Sequence, residues 1–243
     1  MKRKTLLLAF LIIGSLSLHA QEKKNSIPLI GSQAPSFKAE STTGKLNFPN
    51  DFKNSWKIIF SHPKDFTPVC SSELLELAYN QKDFEAINTR IIVISTDVIG
   101  QHQTWIEALE EIADNSNRSV KIEFPLIADN SMDVSRKYGM LHEPVSTSES
   151  VRGVFIIDPE NVIRSVQFYP MEIGRSIPEI KRSVLALQMI TENNDVFTPA
   201  NWEPGDPTLI PYLTKEDKKK IELSDPEIQH QSWFLNYRTA SPK

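Results

Sequence analysis

Hydrophobic positions along the chain fall into two rhythms. Short runs with apolar residues in succession at their centres, "WKIIFS" at 56–61 and "RIIVIST" at 90–96, have the length and β-branched content of strands buried on both faces. Between them, "CSSELLELAYNQKDFEAI" places Leu74, Leu75, Leu77, Ala78, Phe84 and Ile87 at helical spacing. "QHQTWIEALEEIAD" and "IPEIKRSVLALQMI" repeat that amphipathic pattern, the second with Ser176 available as its N-cap. "FKAESTTGKLNFPNDF" alternates on either side of Thr43-Gly44, a hairpin signal, and "VRGVFIID" and "VIRSVQFY" are two strands joined by Asp158-Pro159-Glu160-Asn161.

Strands that alternate with helices predict an α/β layer. The first two central strands are joined through a helix and should run parallel; the last two share a tight turn and should run antiparallel. That order predicts a thioredoxin-like mixed sheet flanked by helices, over residues 30–194. From Asp195 the composition changes. Prolines at 199, 204, 207 and 211 rule out a long helix or central strand and predict an extended arm leading to a small C-terminal module, residues 195–243. Trp202, Tyr212, Trp233 and Phe234 in that module need an apolar surface, either its own core or a second subunit. A homodimer is the expectation.

The N-terminus follows neither rhythm. Lys2, Arg3 and Lys4 precede an almost wholly apolar stretch from Leu6 to Leu18, with Ala20 ending a cleavage site. This is a secretory signal pattern, the alternative reading being an uncleaved anchor, followed by a linker at 21–29. Its removal takes three basic residues and no acidic ones, moving the net charge from -4 to -7. A periplasmic or extracellular protein is expected. No basic stripe marks a nucleic-acid partner. No His, Cys or carboxylate grouping has ligand spacing, so neither metal nor cofactor is expected.

Export makes the chain's single cysteine conspicuous, because Cys70 has no internal partner for a disulfide. Its surroundings, "SHPKDFTPVCSSEL", give it a position. Thr67 fits a helix N-cap and Pro68 the first helical residue, which puts Cys70 in the first turn. Unpaired N–H groups and the positive end of the helix dipole favour thiolate over thiol there. A merely structural cysteine would sit further along the apolar face.

Pro63, Thr67 and Cys70, spaced as proline, three residues, threonine, two residues, cysteine between a strand and a helix, resemble the active-site segment of the peroxiredoxins. "VRGVFIID" is similar to that family's strand bearing the active-site arginine, here Arg152; "IGRSIPEI" is similar to a later segment with a second arginine, here Arg175; "TPANWEPGD" is similar to the arm of its one-cysteine subgroup. The resemblance implies a peroxidase in which the Cys70 thiolate attacks peroxide. Thr67, Arg152 and the Cys70 N–H would supply donors to the developing charge, and Pro63 would shield the site. The product would be a sulfenic acid. His62 matches a histidine of the one-cysteine subgroup, either tuning the thiol or touching the reductant, or else a satisfied strand-end residue. Read without the family, Arg152 is equally an edge-strand charge in solvent. Thr67 is expected both to cap the helix and to serve the reaction.

Where two-cysteine relatives carry a resolving cysteine, this chain has Phe197 and Thr198. The resemblance therefore implies an external thiol, a thioredoxin-like protein or a low-molecular-weight thiol. Ser55 lacks flanking glycines, so no lipase-type elbow is predicted. The competing reading is a binding or chaperone module with a spectator cysteine, which would lose its thiol to peroxide only at the background rate.

Overall fold

A computed structural model describes residues 27–210, 228–232 and 234–239. The expected signal segment, Tyr212 and Trp233 lie outside the described residues. Among the described residues the first two strands form the hairpin β1 (Phe37–Ser41) and β2 (Gly44–Phe48), closed where Ser41 pairs with Gly44. Gly44 takes φ +109°, which a side chain would resist. There follow β3 (Trp56–Ser61), α1 (Pro68–Ala86), β4 (Thr89–Ser95), α2 (Ile99–Asn115), β5 (Leu126–Ala128), α3 (Asp133–Lys137), β6 (Arg152–Ile157), β7 (Ile163–Tyr169) and α4 (Ile177–Glu192). Seven strands form one sheet in the order β2-β1-β5-β4-β3-β6-β7. The β3–β4 and β4–β5 pairs are parallel, while β6 pairs antiparallel with both β3 and β7. This is the thioredoxin-like mixed sheet.

Side chains alternate across these strands, so one strand feeds two cores. Ile58, Phe60, Val93, Val154 and Ile156 pack with Leu74, Leu77, Phe84, Trp105, Leu109 and Val184 of the helices α1, α2 and α4. Ile59, Ile92, Ile94, Phe155 and Ile157 face the other way, against the hairpin, Val134 and Tyr138. The parity that sends Val154 and Ile156 toward α1 sends Arg152 there too. Arg152 therefore cannot be a solvated edge charge, because β6 is flanked on both sides and the residue is buried.

The segment after Asp195 lies partly on its own subunit. Phe197 pairs with Leu209, and β8 (Thr208–Leu209), β9 (Ile228–His230) and β10 (Asn236–Arg238) form a small sheet in the order β8-β10-β9. Trp202 is buried; its indole donates to Asp206 O at 3.2 Å, and Arg182 of α4 donates to its carbonyl at 3.0 Å. One of the arm's aromatics is thus covered without a second subunit.

Candidate active site

The loop from β3 to α1 delivers the thiol. Phe66 sits at φ +58°, reversing the chain into the helix. Thr67 is extended and Pro68 starts α1, where its missing N–H costs nothing. The first N–H to bond within the helix is that of Ser71, to Thr67 O at 2.9 Å, so the N–H groups of Val69 and Cys70 stand at the open end of the helix. Cys70 lies on the buried face, 1% exposed.

Thr67 departs from its expected capping role. Its hydroxyl makes no bond to the helix; it donates instead to Lys64 O at 3.0 Å, tightening the 64–67 turn. The donor is occupied there, and the oxygen's remaining lone pairs are what Thr67 can offer a substrate. Pro63 is buried within the same loop.

Arg152 reaches across from β6. Its Nη1 donates to Cys70 Sγ at 3.1 Å and to Glu73 Oε2 at 2.7 Å, while Nε and Nη2 both donate to Met171 O. Arg175 arrives on the other side of Glu73. Its backbone N and Nε donate to Oε1 at 2.7 and 2.8 Å, and Nη2 donates to Oε2 at 2.8 Å. Nη1 of Arg175 donates to Ser61 O and Gly153 O, and its guanidinium lies 3.2 Å from the Phe60 ring centroid. Arg175 precedes the Ser176 cap of α4, so the helix start that it locally disfavours is outweighed by a fully engaged guanidinium. Two guanidinium charges against one carboxylate leave the cluster at +1.

Glu73 was not among the residues singled out from sequence. The signal was present: one turn after Cys70, on the face that carries Leu74 and Leu77, a carboxylate can be buried only with cationic partners. Burial by itself would push the Glu73 carboxyl upward. The hydrogen bonds and charge of Arg175, with the charge of Arg152, outweigh that and hold it below its ordinary value. We expect Glu73→Gln to cost about 3–5 kcal/mol, the scale of one partner lost from a buried pair. Because the folded-state value is depressed, this contribution is complete above the ordinary value of 4.5 and is lost as pH falls through the lower folded value. Urea unfolding of the two proteins at neutral and acid pH checks both statements; curves that stay equally far apart at low pH would contradict the assignment.

His62 lies on the far side of the loop from solvent. Its Nε2 is 2.8 Å from Asp65 Oδ1, and Asp65 Oδ2 is 2.7 Å from His102 Nδ1. Asp97 joins them by accepting from the Asp65 backbone N. Sequence spacing did not announce this grouping of His62, Asp65 and Asp97. Its ligand atoms lie within 4.8 Å of one another, but the carboxylates are already engaged by the loop's own donors, Asp97 by Ser95, Gln101 and the Asp65 N–H. His62 Nδ1 is buried without a hydrogen-bond partner among the described residues, a condition costing about 1–3 kcal/mol.

A lone thiol at the first turn of the helix that follows a central strand, with a guanidinium on its sulfur, defines a thiol peroxidase on a thioredoxin-like sheet. Comparison with known proteins agrees. Residues 30–166 match the model of the AhpC/TSA family, and residues 186–223 that of the C-terminal domain of 1-Cys peroxiredoxin. A peroxiredoxin of Methanosarcina mazei is 47% identical over 212 residues, covering 86% of this chain and 96% of its own length. One of Thermotoga maritima is 38% identical over 216 residues, covering 87% and 97%. Among solved structures, a yeast mitochondrial 1-Cys peroxiredoxin superposes with a TM-score of 0.77 at 32% identity, over 87% of this chain and 99% of that one. A cysteine mutant of Peroxiredoxin 6 from Arenicola marina gives 0.77 and 32%, over 88% and 99%. The chain belongs to the peroxiredoxin family, and its activity is thiol-dependent peroxide reduction; the spectator-cysteine reading is not favoured.

Proposed function

We propose that this chain reduces hydrogen peroxide and organic hydroperoxides by attack of the Cys70 thiolate, with Arg152 as the group that follows the charge. The observation that carries this reading is the 3.1 Å contact from Arg152 Nη1 to Cys70 Sγ, fixed by Glu73 and Met171 O. Sulfur bonds to one peroxide oxygen as the O–O bond breaks. Negative charge passes from sulfur to the leaving oxygen, which takes up a proton and departs as water or alcohol. A donor that touches the sulfur and lies beside the first-turn N–H groups serves both ends of that transfer. Thr67 offers its lone pairs to the protonated oxygen of the peroxide, and Pro63 keeps the loop closed against water. Arg175 acts through Glu73, holding the carboxylate that holds Arg152. Steady-state reduction of hydrogen peroxide and of an organic hydroperoxide, with a panel of thiol donors, tests the reading; thiol loss at no more than the background rate of an ordinary cysteine would sink it.

The reductant is an external thiol, since Cys70 has no internal partner. The yeast mitochondrial 1-Cys peroxiredoxin is resolved through glutathione/thioredoxin systems, which supports placing a low-molecular-weight thiol and a thioredoxin-like protein first in that panel. The aromatic and proline-rich arm supports a homodimer. Light scattering of the full chain should give twice the monomer mass, falling to the monomer in a chain ending at Asp195; a monomeric full chain ends that idea. The apolar N-terminal stretch supports export. Mass spectrometry of the mature protein should place its first residue near Gln21, and Lys2–Lys4 on the bulk of the material would contradict cleavage.

A further inference from the structure

Strands β3 and β6 separate at the thiol end of the sheet. Their last ladder pair is Phe60 with Val154. One step further stand Ser61, which ends β3, and Gly153, which follows Arg152. Here side chains meet the backbone groups. The Ser61 hydroxyl accepts from the Gly153 N–H at 2.8 Å and donates to Val151 O at 2.7 Å. Arg175 Nη1 donates to Ser61 O at 2.7 Å and to Gly153 O at 2.9 Å. Ser61 is wholly buried, and its hydroxyl both gives its proton and accepts one, so its orientation is fixed.

The glycine is part of this arrangement. A Cβ at position 153 would stand 2.9 Å from Ser61 Oγ and 3.1 Å from the Phe168 ring. The first distance is closer than a carbon and an oxygen approach without a bond, so a side chain there would drive the hydroxyl off the Gly153 N–H. A glycine within a strand commonly marks such a close approach. The two bonds of the Ser61 hydroxyl fall on Val151 and Gly153, the residues on either side of Arg152. The Arg152 side chain begins at that clamped backbone and ends 3.1 Å from Cys70 Sγ. Glu73 and Met171 O hold its far end; Ser61 holds its near end.

We propose that Ser61 and Gly153 are positioning residues for the peroxide step: the Ser61 hydroxyl clamps the backbone on both sides of Arg152, and the absent side chain of Gly153 lets it do so. This rests on the thiol-peroxidase reading. Both residues act through Arg152. Their carbonyls also seat Arg175, so the point where the two strands separate anchors both guanidinium groups.

The test is the rate of thiol consumption by hydrogen peroxide in a single turnover, measured in two backgrounds. Ser61→Ala should lower it on the order of 10-fold in the otherwise unmodified protein, as for a slightly misplaced catalytic group. In the Arg152→Met background the same change should cost less than about twofold, because residues that act through one group are not additive. Gly153→Ala keeps the hydroxyl but crowds it, and should show the same dependence on background. Ser61→Ala at a rate within about twofold of the unmodified protein, or equal losses in the two backgrounds, overturns the positioning role. A further measurement needs no variant to fold. In the unmodified protein the Gly153 amide, beyond the last ladder pair, should exchange with solvent on the order of 100-fold or more slowly than an unstructured amide. Exchange at the unstructured rate overturns the clamp. An unmodified protein that turns over no peroxide overturns the functional reading and this role with it, whereas turnover indifferent to Ser61 overturns this role alone.

Discussion

Cys70→Ser is expected to leave a folded protein with no peroxide turnover, and Arg152→Met to slow reaction with peroxide by about 100- to 1,000-fold. The serine variant keeps the small buried volume at the start of α1 but replaces the thiol with an alcohol, a far weaker nucleophile. The arginine variant keeps the nucleophile and removes the charge 3.1 Å from it. It also takes one of the donors from Glu73 Oε2 and two from Met171 O, so a loss of stability accompanies the loss of rate. Measuring the peroxide step alone, by thiol consumption in a single turnover under conditions where the variant remains folded by circular dichroism, separates the two effects. Near-normal single-turnover rates in Arg152→Met would remove Arg152 from the mechanism. Thr67→Val should also slow the step. It removes the lone pairs offered to peroxide, together with the bond to Lys64 O that shapes the turn.

The reach of the sequence can be seen residue by residue. The two central strands, the three long helices and both hairpins were legible, because each is either long enough to show its period or bounded by turn chemistry. β5 and α3 were not. A three-residue strand and a five-residue helix are too short to display a period, and both are held by tertiary contacts: β5 fills the gap between β4 and β1, and Asp129 caps α3 by accepting from the N–H groups of Val134 and Ser135. The position of Cys70 in the first turn was legible from Pro68 at the start of α1, although the Thr67 hydroxyl bonds Lys64 O instead of capping the helix. Arg152 was ambiguous from its own segment, although the two-residue period of β6 already put it on the face of Val154 and Ile156. What made that face an active site was the partner helix, which the strand's sequence does not contain. Glu73 had a local signal, a charge on an apolar face. His102 had none, since its partners come from a loop 37 residues away and from β5.

The oxidised state sets the second large effect. Once Cys70 carries an oxygen, three outcomes compete. An external thiol can condense with the sulfenic acid and be displaced by a second thiol, which restores the enzyme. Two subunits can join through Cys70, but a disulfide needs Cα atoms within about 7 Å, and a sulfur that is 1% exposed on the buried face of α1 does not reach a second copy without opening the helix start. More peroxide can carry the sulfenic acid to sulfinic acid, which ordinary thiols do not reverse. Turnover should therefore require added thiol, and peroxide in excess without thiol should inactivate the enzyme by adding two oxygens to Cys70. Intact mass spectrometry across a peroxide titration, with and without a thiol donor, reads each species directly. The dioxygenated chain should accumulate only in the thiol-free series, in step with lost activity. A covalent dimer as the main oxidised product, or sustained turnover with no external thiol, would show that the single sulfur does not work alone.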